Sequence, residues 1–180
     1  MRRADLPEAE PEANRLQIYA SRFTALTAQH LFFDGRAPGP IDENHRVHDF
    51  LVRSYYVARD AVGRRGFPAL RVKSLSRSGS TIAFDEDEVM PGIEDLQVQF
   101  GIGEGTAMRY VNPDAAELPQ ARVLAVRVWL RVRAEQPDHA FVDARTWRYA
   151  DVEYTAAGAD RHFRRAVIQR TVAVRNARRS

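Results

Sequence analysis

Two histidines three residues apart, His45 and His48, are the side chains whose types most directly suggest metal chemistry. Three acidic residues lie beside them in the sequence, namely Asp42, Glu43 and Asp49. Neutral imidazole and carboxylate groups are zinc ligands, and a helix would bring side chains at this spacing to one ion. The surrounding sequence instead predicts a loop that runs into a strand. We therefore interpret the pair as surface histidines and predict no metal site.

Two further motifs resemble ion-binding or phosphate-binding loops but do not meet their requirements. The acidic run at residues 85–88, with Glu94 and Asp95 after the predicted turn, supplies oxygens for calcium, yet it lacks the spaced ligands and central glycine of an EF-hand loop. The glycines Gly101, Gly103 and Gly105 follow a predicted strand, but they lack the G-x-G-x-x-G spacing and lead into another strand. We interpret the first motif as a solvated acidic loop and the second as a hairpin loop, and we predict no cofactor.

Nucleophilic catalysis has no recognisable basis in this sequence. Residues 77–80, Arg-Ser-Gly-Ser, are not the G-x-S-x-G elbow of a serine hydrolase and predict a turn. The chain has no cysteine, which excludes cysteine nucleophiles, disulfides and thiolate metal sites together. Carboxylates are plentiful, but no pattern places two of them in one pocket. We predict no catalytic residues and no enzymatic activity.

Arginine is the one residue type whose distribution suggests a partner. Residues 1–121 carry 14 basic and 18 acidic groups, whereas residues 122–180 carry 13 and 6. A basic patch in the second part could bind an anionic partner such as nucleic acid, with Trp129, Trp147 or Tyr149 available for stacking. The net charge of +3 is weak for that role, and these positions equally fit solvent-facing arginines whose aliphatic stems cover a sheet. The candidate patch consists of Arg127, Arg131, Arg133, Arg164, Arg165 and Arg170.

Length and composition predict one globular domain. A chain of 180 residues with 44% apolar and 28% charged residues is typical of a soluble folded protein, and it is long enough to bury a sizeable core. No stretch approaches the roughly 20 apolar residues of a membrane span. We predict a flexible lead-in at residues 1–14, a globular domain at 15–176 and a basic tail at 177–180.

The stretch RVLAVRVWLRVR at residues 122–133 is the clearest structural signal in the sequence. Its aliphatic residues alternate with mostly basic ones, which is the period of a half-buried strand in an antiparallel sheet. We expect the aliphatic face to enter the core and the face with Trp129 and the arginines to be wet. On that assignment, Val128→Asp should unfold the domain, whereas reversing the charges of Arg131 and Arg133 should not. The expected core is Leu96, Val98, Phe100, Leu124, Val126, Val128, Leu130, Val172 and Val174.

Patterns elsewhere predict further strands and turns around this one. Residues 16–33 fit both a helix and a strand, and the two alternatives stay open at this point. Residues 34–44 predict a loop, and the pair Pro91-Gly92 predicts a turn. Strands are predicted at residues 50–59, 69–76, 81–84, 95–101, 108–111, 146–152 and 171–175.

Four segments stand out in this order along the chain: LVRSYYVA at residues 51–58, VMPGIEDLQVQFGI at 89–102, the strand at 122–133, and FRRAVIQRTVAVRN at 163–176. Together they resemble the globular part of PilW-type minor pilins of type IV pili, a family related to the J-type pseudopilins of type II secretion. The resemblance implies a pilin-like α+β domain built mainly of antiparallel sheet. It also implies a role in pilus assembly and initiation through contacts with other minor pilins and the assembly machinery, at the periplasmic face of the inner membrane and in the pilus.

The family resemblance further implies a basic leader, a cleavage site and an anchoring apolar helix at the N-terminus. The start MRRADLPEAEPEANR has no apolar core and is no signal peptide. We therefore expect the chain as given to be soluble, with the helix encoded upstream, removed by truncation, or absent from a member with a different role. Two alternative functions stay open: a J-type pseudopilin, and a soluble module that binds nucleic acid or another anionic partner.

Overall fold

A computed structural model of the chain describes residues 9–21, 30–78, 81–104 and 107–174. These residues belong to two compact units, which are treated separately below. The first unit comprises Met1–Tyr55 and Val72–Asp87, and the second comprises Tyr56–Arg71 and Glu88–Ser180. Most of the predicted lead-in and the whole predicted tail lie outside the described residues, so the division into lead-in, domain and tail stays a prediction.

The first unit contains a three-stranded antiparallel sheet in the order β2-β1-β3. Tyr19, Phe32 and Val47 form its buried cluster, one from each strand, and the Tyr19 hydroxyl donates to the Pro40 carbonyl oxygen at 2.9 Å. The ambiguous stretch at residues 16–33 is therefore a strand at both ends, with residues 22–29 outside the described part. The strands are β1 (Ala13–Ser21), β2 (His30–Asp34) and β3 (His45–Asp49).

Three strands form the second sheet, in the order β4-β5-β6. The residues 85–88 that were predicted to form an acidic loop instead lie within β6, and the short strand predicted at 81–84 extends to residue 91. A strand can carry consecutive acidic residues where their side chains reach solvent, and Asp85, Glu86 and Asp87 are all exposed. A charge run alone was therefore a poor indicator of a loop. The strands are β4 (Arg53–Ala58), β5 (Ala69–Ser78) and β6 (Thr81–Pro91).

A four-stranded antiparallel sheet, in the order β12-β9-β7-β8, and the hairpin β10-β11 form most of the second unit. The strand predicted at residues 122–133 is β9, paired on both sides. Two short 3₁₀-helices, Leu118–Gln120 and Gly158–His162, lie in the connections. The strands are β7 (Ile93–Glu104), β8 (Ala107–Val111), β9 (Val123–Arg133), β10 (Thr146–Tyr149), β11 (Val152–Thr155) and β12 (Arg165–Ala173).

The described part of the chain is therefore a β-rich protein of mainly antiparallel sheets. It has twelve strands in four sheets. Within the described ranges the only helices are the two 3₁₀-helices, so they supply no α-helix for the expected α+β fold. None of these described helices is long and apolar enough to cross a membrane.

The face assignment predicted for β9 is wrong. Trp129 and Arg131, expected in solvent, are only 6% and 8% exposed, whereas Val128 is half-buried. Ile168 and Val172 on the paired strand are 46% and 61% exposed. Alternation defines two faces but does not say which one another element covers, and here the hairpin β10-β11 packs against the arginine side. None of the nine apolar residues of the expected core is fully buried, since Val172 is exposed and the other eight are half-buried.

Candidate functional site

The first candidate surface is one face of the four-stranded sheet, where mainly aliphatic side chains of β7, β9 and β12 lie side by side; we call it the aliphatic face. Backbone pairing places the residues of β7, β9 and β12 in register, so directly opposed side chains share a face. All of them remain half-buried or exposed. Adjacent apolar side chains that stay accessible mark an interaction surface. The rows of opposed residues are Leu96, Leu130 and Ile168; Val98, Val128 and Arg170; and Phe100, Val126 and Val172.

On the opposite face, a buried ion-pair network is centred on Glu94. Its Oε2 accepts hydrogen bonds from Arg131 Nε at 3.0 Å and from Arg165 Nε at 2.8 Å, and its Oε1 accepts from Arg165 Nη2 at 3.0 Å. Arg133 Nε lies 3.8 Å from Glu94 Oε1. The side chain of Arg165 is 0% exposed and those of Glu94 and Arg131 are 10% exposed. Charges this deep are tolerated because each has a partner of opposite sign.

A register shift in β7 explains how two consecutive acidic residues reach the same face. Ile93 pairs with Val132 and Asp95 pairs with Arg131, so Glu94 is one extra residue opposite β9. Such a bulge turns neighbouring side chains to one side of the sheet, where strict alternation would separate them. Glu94 and Asp95 therefore both face the hairpin β10-β11.

Tyr149 connects the second acidic residue to the network. Arg131 Nη1 donates to the Tyr149 hydroxyl at 2.8 Å, and that hydroxyl donates to Asp95 Oδ2 at 2.6 Å. Burial and the hydrogen bond to Asp95 raise the pKa of Tyr149 far above its usual value. The phenol is thus held neutral as a donor, and it ties the hairpin to the sheet.

Tyr154 and Asp160 complete the network from the other end. The Tyr154 hydroxyl donates to Asp160 Oδ2 at 2.6 Å, and Arg165 Nη2 donates to the same oxygen at 2.8 Å. Burial raises the pKa of Asp160, but these hydrogen bonds and the Arg165 charge outweigh it, so the net pKa is lowered. Burial also raises the pKa of Tyr154, to about 12, with help from its bond to Asp160. The Arg131 guanidinium lies 3.6 Å from the Tyr154 ring centroid.

The six arginines of the predicted patch do not form one exposed surface. Arg131 and Arg165 are buried against Glu94, and the side chain of Arg133 is 13% exposed. Arg164 is exposed and pairs with Asp138 at 2.7 Å. The two remaining arginines have no acidic partner within the described residues: Arg127 stacks on the Tyr110 ring at 3.4 Å, and Arg170 is exposed on β12. Binding of an anionic partner stays a prediction.

Sequence patterns indicated Glu94 and Asp95 only as possible calcium ligands and Tyr149 only as a ring for stacking, so the network itself was not predicted. The sequence predicted a single strand at residues 146–152, whereas the chain forms the hairpin β10-β11 there. That prediction did not place Tyr149 and Tyr154 together against the arginine side of the four-stranded sheet. The available signal was the pair Glu94-Asp95 opening a strand with otherwise alternating apolar residues. Two adjacent acidic residues interrupt the alternation of apolar and polar positions, and a β-bulge produces such an interruption because it adds one residue to the strand.

The histidine pair is placed on a strand and not on a helix. His45 and His48 lie three positions apart in β3, so they point to opposite faces of the sheet. His45 Nδ1 lies 2.8 Å from Asp42 Oδ1, and its ring stacks on Tyr19 at 5.4 Å. Among the described residues there is no group of three or more ligand-type side chains arranged for a metal ion.

Strands β7 and β8 pair as the predicted hairpin, but Gly101 and Gly103 lie within β7, opposite Tyr110 and Met108, and not in the predicted loop. A side chain on Gly103 would collide with the Ala107 carbonyl oxygen, and one on Gly101 would lie 2.8 Å from Met108 Sδ. These glycines therefore permit the close approach of the two strands. Gly105 and most of the predicted turn at residues 77–80 lie outside the part of the chain whose side chains are described.

These features define an antiparallel β-sheet protein. One face of its four-stranded sheet is accessible and mainly aliphatic, and the opposite face contains a buried ion-pair network. Residues 54–176 match the family described as type IV pilus-assembly protein W. The match covers the strands that carry both the face and the network, and the chain belongs to this PilW family. No curated protein and no solved structure matches the chain.

Proposed function

We propose that this protein is a minor pilin that takes part in the assembly and initiation of a type IV pilus through protein-protein contacts. Membership of the type IV pilus-assembly protein W family supports the pilus role. In this proposal the domain works at the periplasmic face of the inner membrane and in the pilus, with other minor pilins and the assembly machinery as partners. It turns over no substrate.

The observation that carries the proposal is the accessible aliphatic face of the four-stranded sheet. Leu130, Val128 and Val126 form its centre, and Ile168 and Val172 on β12 remain 46% and 61% exposed. Packing of an apolar surface of this kind against another apolar element lowers the free energy, because both surfaces are removed from water. The occupant in this proposal is the apolar N-terminal α-helix that the resemblance implies for such pilins, supplied by a neighbouring protein in the assembly. The chain's own helix of this kind would make the complete domain pilin-like and α+β.

The network on the opposite face has a supporting role in this proposal. Its ion pairs and tyrosine hydrogen bonds hold the hairpin β10-β11 against one face of the sheet. The aliphatic face on the other side is left accessible. Glu94, Arg131 and Arg165 are nearly fully paired with each other and with Asp160 and Tyr149, which leaves them little capacity for an external anion. The network therefore favours assembly through the aliphatic face over nucleic-acid binding through these arginines.

Deletion of the gene, followed by complementation, tests the proposal. We expect the deletion strain to lose surface pili and the wild-type gene to restore them. Val128→Asp should fold but fail to restore pili, because it places a carboxylate in the middle of the aliphatic face. Val142→Asp is the matched control, since Val142 is 50% exposed and lies in a loop outside the sheet.

Three results would contradict the proposal. Normal piliation in the deletion strain would remove the pilus role. Loss of type II secretion with pili intact would instead assign the protein to the pseudopilins. Full restoration of pili by a folded Val128→Asp protein would show that the aliphatic face is not the assembly surface.

A further inference from the structure

Strand β12 presents a long, regular edge of the four-stranded sheet. It pairs with β9 along all nine residues without interruption, and no other strand of the described residues lies on its other side in the sheet order. Seven of its last eight residues are exposed. Backbone N–H and C=O groups along such an edge can pair with a strand from another chain.

Natural edges are usually protected against such pairing, and β12 has little of this protection. It contains no proline or glycine, its register with β9 has no bulge, and β-branched residues such as Val167, Ile168 and Thr171 favour extended structure. The exception is Arg170, the only charged residue between residues 166 and 173. It is exposed and forms no ion pair with any described residue.

The chain also carries an edge of opposite charge. Among the described strands, β6 is one of the two outer strands of the sheet β4-β5-β6, and it contains the acidic run at residues 85–88. Asp85 and Asp87 are exposed, lie on the same face of the strand, and form no ion pair with any described residue. Glu86 differs from them because it lies 3.8 Å from Lys73.

We propose that the β12 edge of one copy pairs with the β6 edge of a second copy, with Arg170 opposite the carboxylates of Asp85 and Asp87. Acidic residues on an edge discourage pairing with a like edge, but they attract a basic one. Each edge thus selects the other and avoids itself. Opposite charges directly across paired strands also stabilise the sheet that forms.

Such a contact joins two different surfaces, so every copy keeps one free edge of each kind. A contact of this type extends into an open chain of copies unless its rotation closes a ring. The inference goes beyond the proposed pilus role, since self-association through these edges can occur or fail whatever the protein does in the cell.

Sedimentation velocity with charge-reversal variants tests the pairing. The purified chain should show concentration-dependent association at low salt that weakens as salt is added. Arg170→Glu alone should sediment as single copies, and so should the double variant Asp85→Arg with Asp87→Arg. An equimolar mixture of the two should associate again, because each restores the charge pair that the other lost.

The mixture separates the proposed contact from general loss of fold or of solubility. Arg161→Glu, which changes the charge by the same amount at an exposed site in a 3₁₀-helix, should associate like the parent. The proposal is overturned if the parent stays single at all concentrations, if either variant associates like the parent, or if the mixture of folded variants stays single. None of these results would bear on the pilus role, which is measured by piliation.

Discussion

Glu94 and Arg165 form a bidentate ion pair, with Arg165 Nε 2.8 Å from Glu94 Oε2 and Arg165 Nη2 3.0 Å from Glu94 Oε1. The two residues come from β7 and β12, which are both neighbours of β9 and not of each other. Their side chains therefore reach across β9, where Arg131 donates to the same carboxylate. The pair connects three of the four strands of the sheet by side chains as well as by backbone hydrogen bonds.

Glu94→Gln should strongly destabilise the second unit. It removes the one carboxylate shared by two buried guanidinium groups, and breaking a buried ion pair from one side costs about 3–5 kcal/mol. Urea unfolding followed by tryptophan fluorescence measures the loss. Glu117→Gln is the control, because its pair with Arg109 is exposed and such pairs contribute only about 0–1 kcal/mol. Equal losses for the two variants would refute the central role of Glu94.

Tyr149→Phe should destabilise the protein by less, yet measurably. It removes the hydroxyl that accepts from Arg131 and donates to Asp95, and hydrogen bonds to charged groups contribute about 1.5–3 kcal/mol each. The same substitution at Tyr55, which is 50% exposed, should change the free energy of unfolding little. A Tyr149→Phe protein as stable as its parent would mean that the hairpin is not held to the sheet by this hydroxyl.

The two faces of β9 should respond in opposite ways to charge. Val128→Asp, on the accessible face, should cost about 1 kcal/mol, the range of strand preference, whereas Arg131→Glu should unfold the second unit by placing a carboxylate beside Glu94. Thermal melts of both variants measure the difference. The alternation in the sequence alone predicted the reverse, so a melt in which Val128→Asp is the worse variant would restore the original assignment.

Asp160 should make the protein sensitive to acid. Its pKa is lowered in the folded state, because bonds from Tyr154 and Arg165 outweigh the effect of burial, so the folded protein holds this proton less tightly than the unfolded chain. The stabilisation is complete above the ordinary aspartate pKa of about 4 and is lost as the pH falls through the lower folded value.

Unfolding in urea at a series of pH values checks this dependence. Asp160→Asn should be less stable than the parent at neutral pH and should lose less stability on acidification. Asp114→Asn, which removes an exposed carboxylate, is the control. If Asp160→Asn and the parent lose stability in parallel below pH 4, the acid sensitivity does not come from Asp160.

The strands were largely predictable from the sequence, because a period of two is a local property. The strand at residues 122–133, the turn at Gly92 and the hairpin formed by β7 and β8 are each confirmed. The orientation of β9 was not predictable, since it depends on Tyr149 and Tyr154, which are distant in sequence and supply partners for Arg131. Burial of arginine became favourable only with those partners and with Glu94 in place.

Photo-crosslinking in the cell most directly tests the claim that the aliphatic face is the assembly surface. A photoreactive phenylalanine analogue would replace Val128 in one strain and Val142 in another, and the crosslinked peptides would be identified by mass spectrometry. We predict that position 128 crosslinks to an apolar helix of a pilus protein and that position 142 does not. Crosslinks from position 128 that are absent, or no more frequent than those from position 142, would contradict the account.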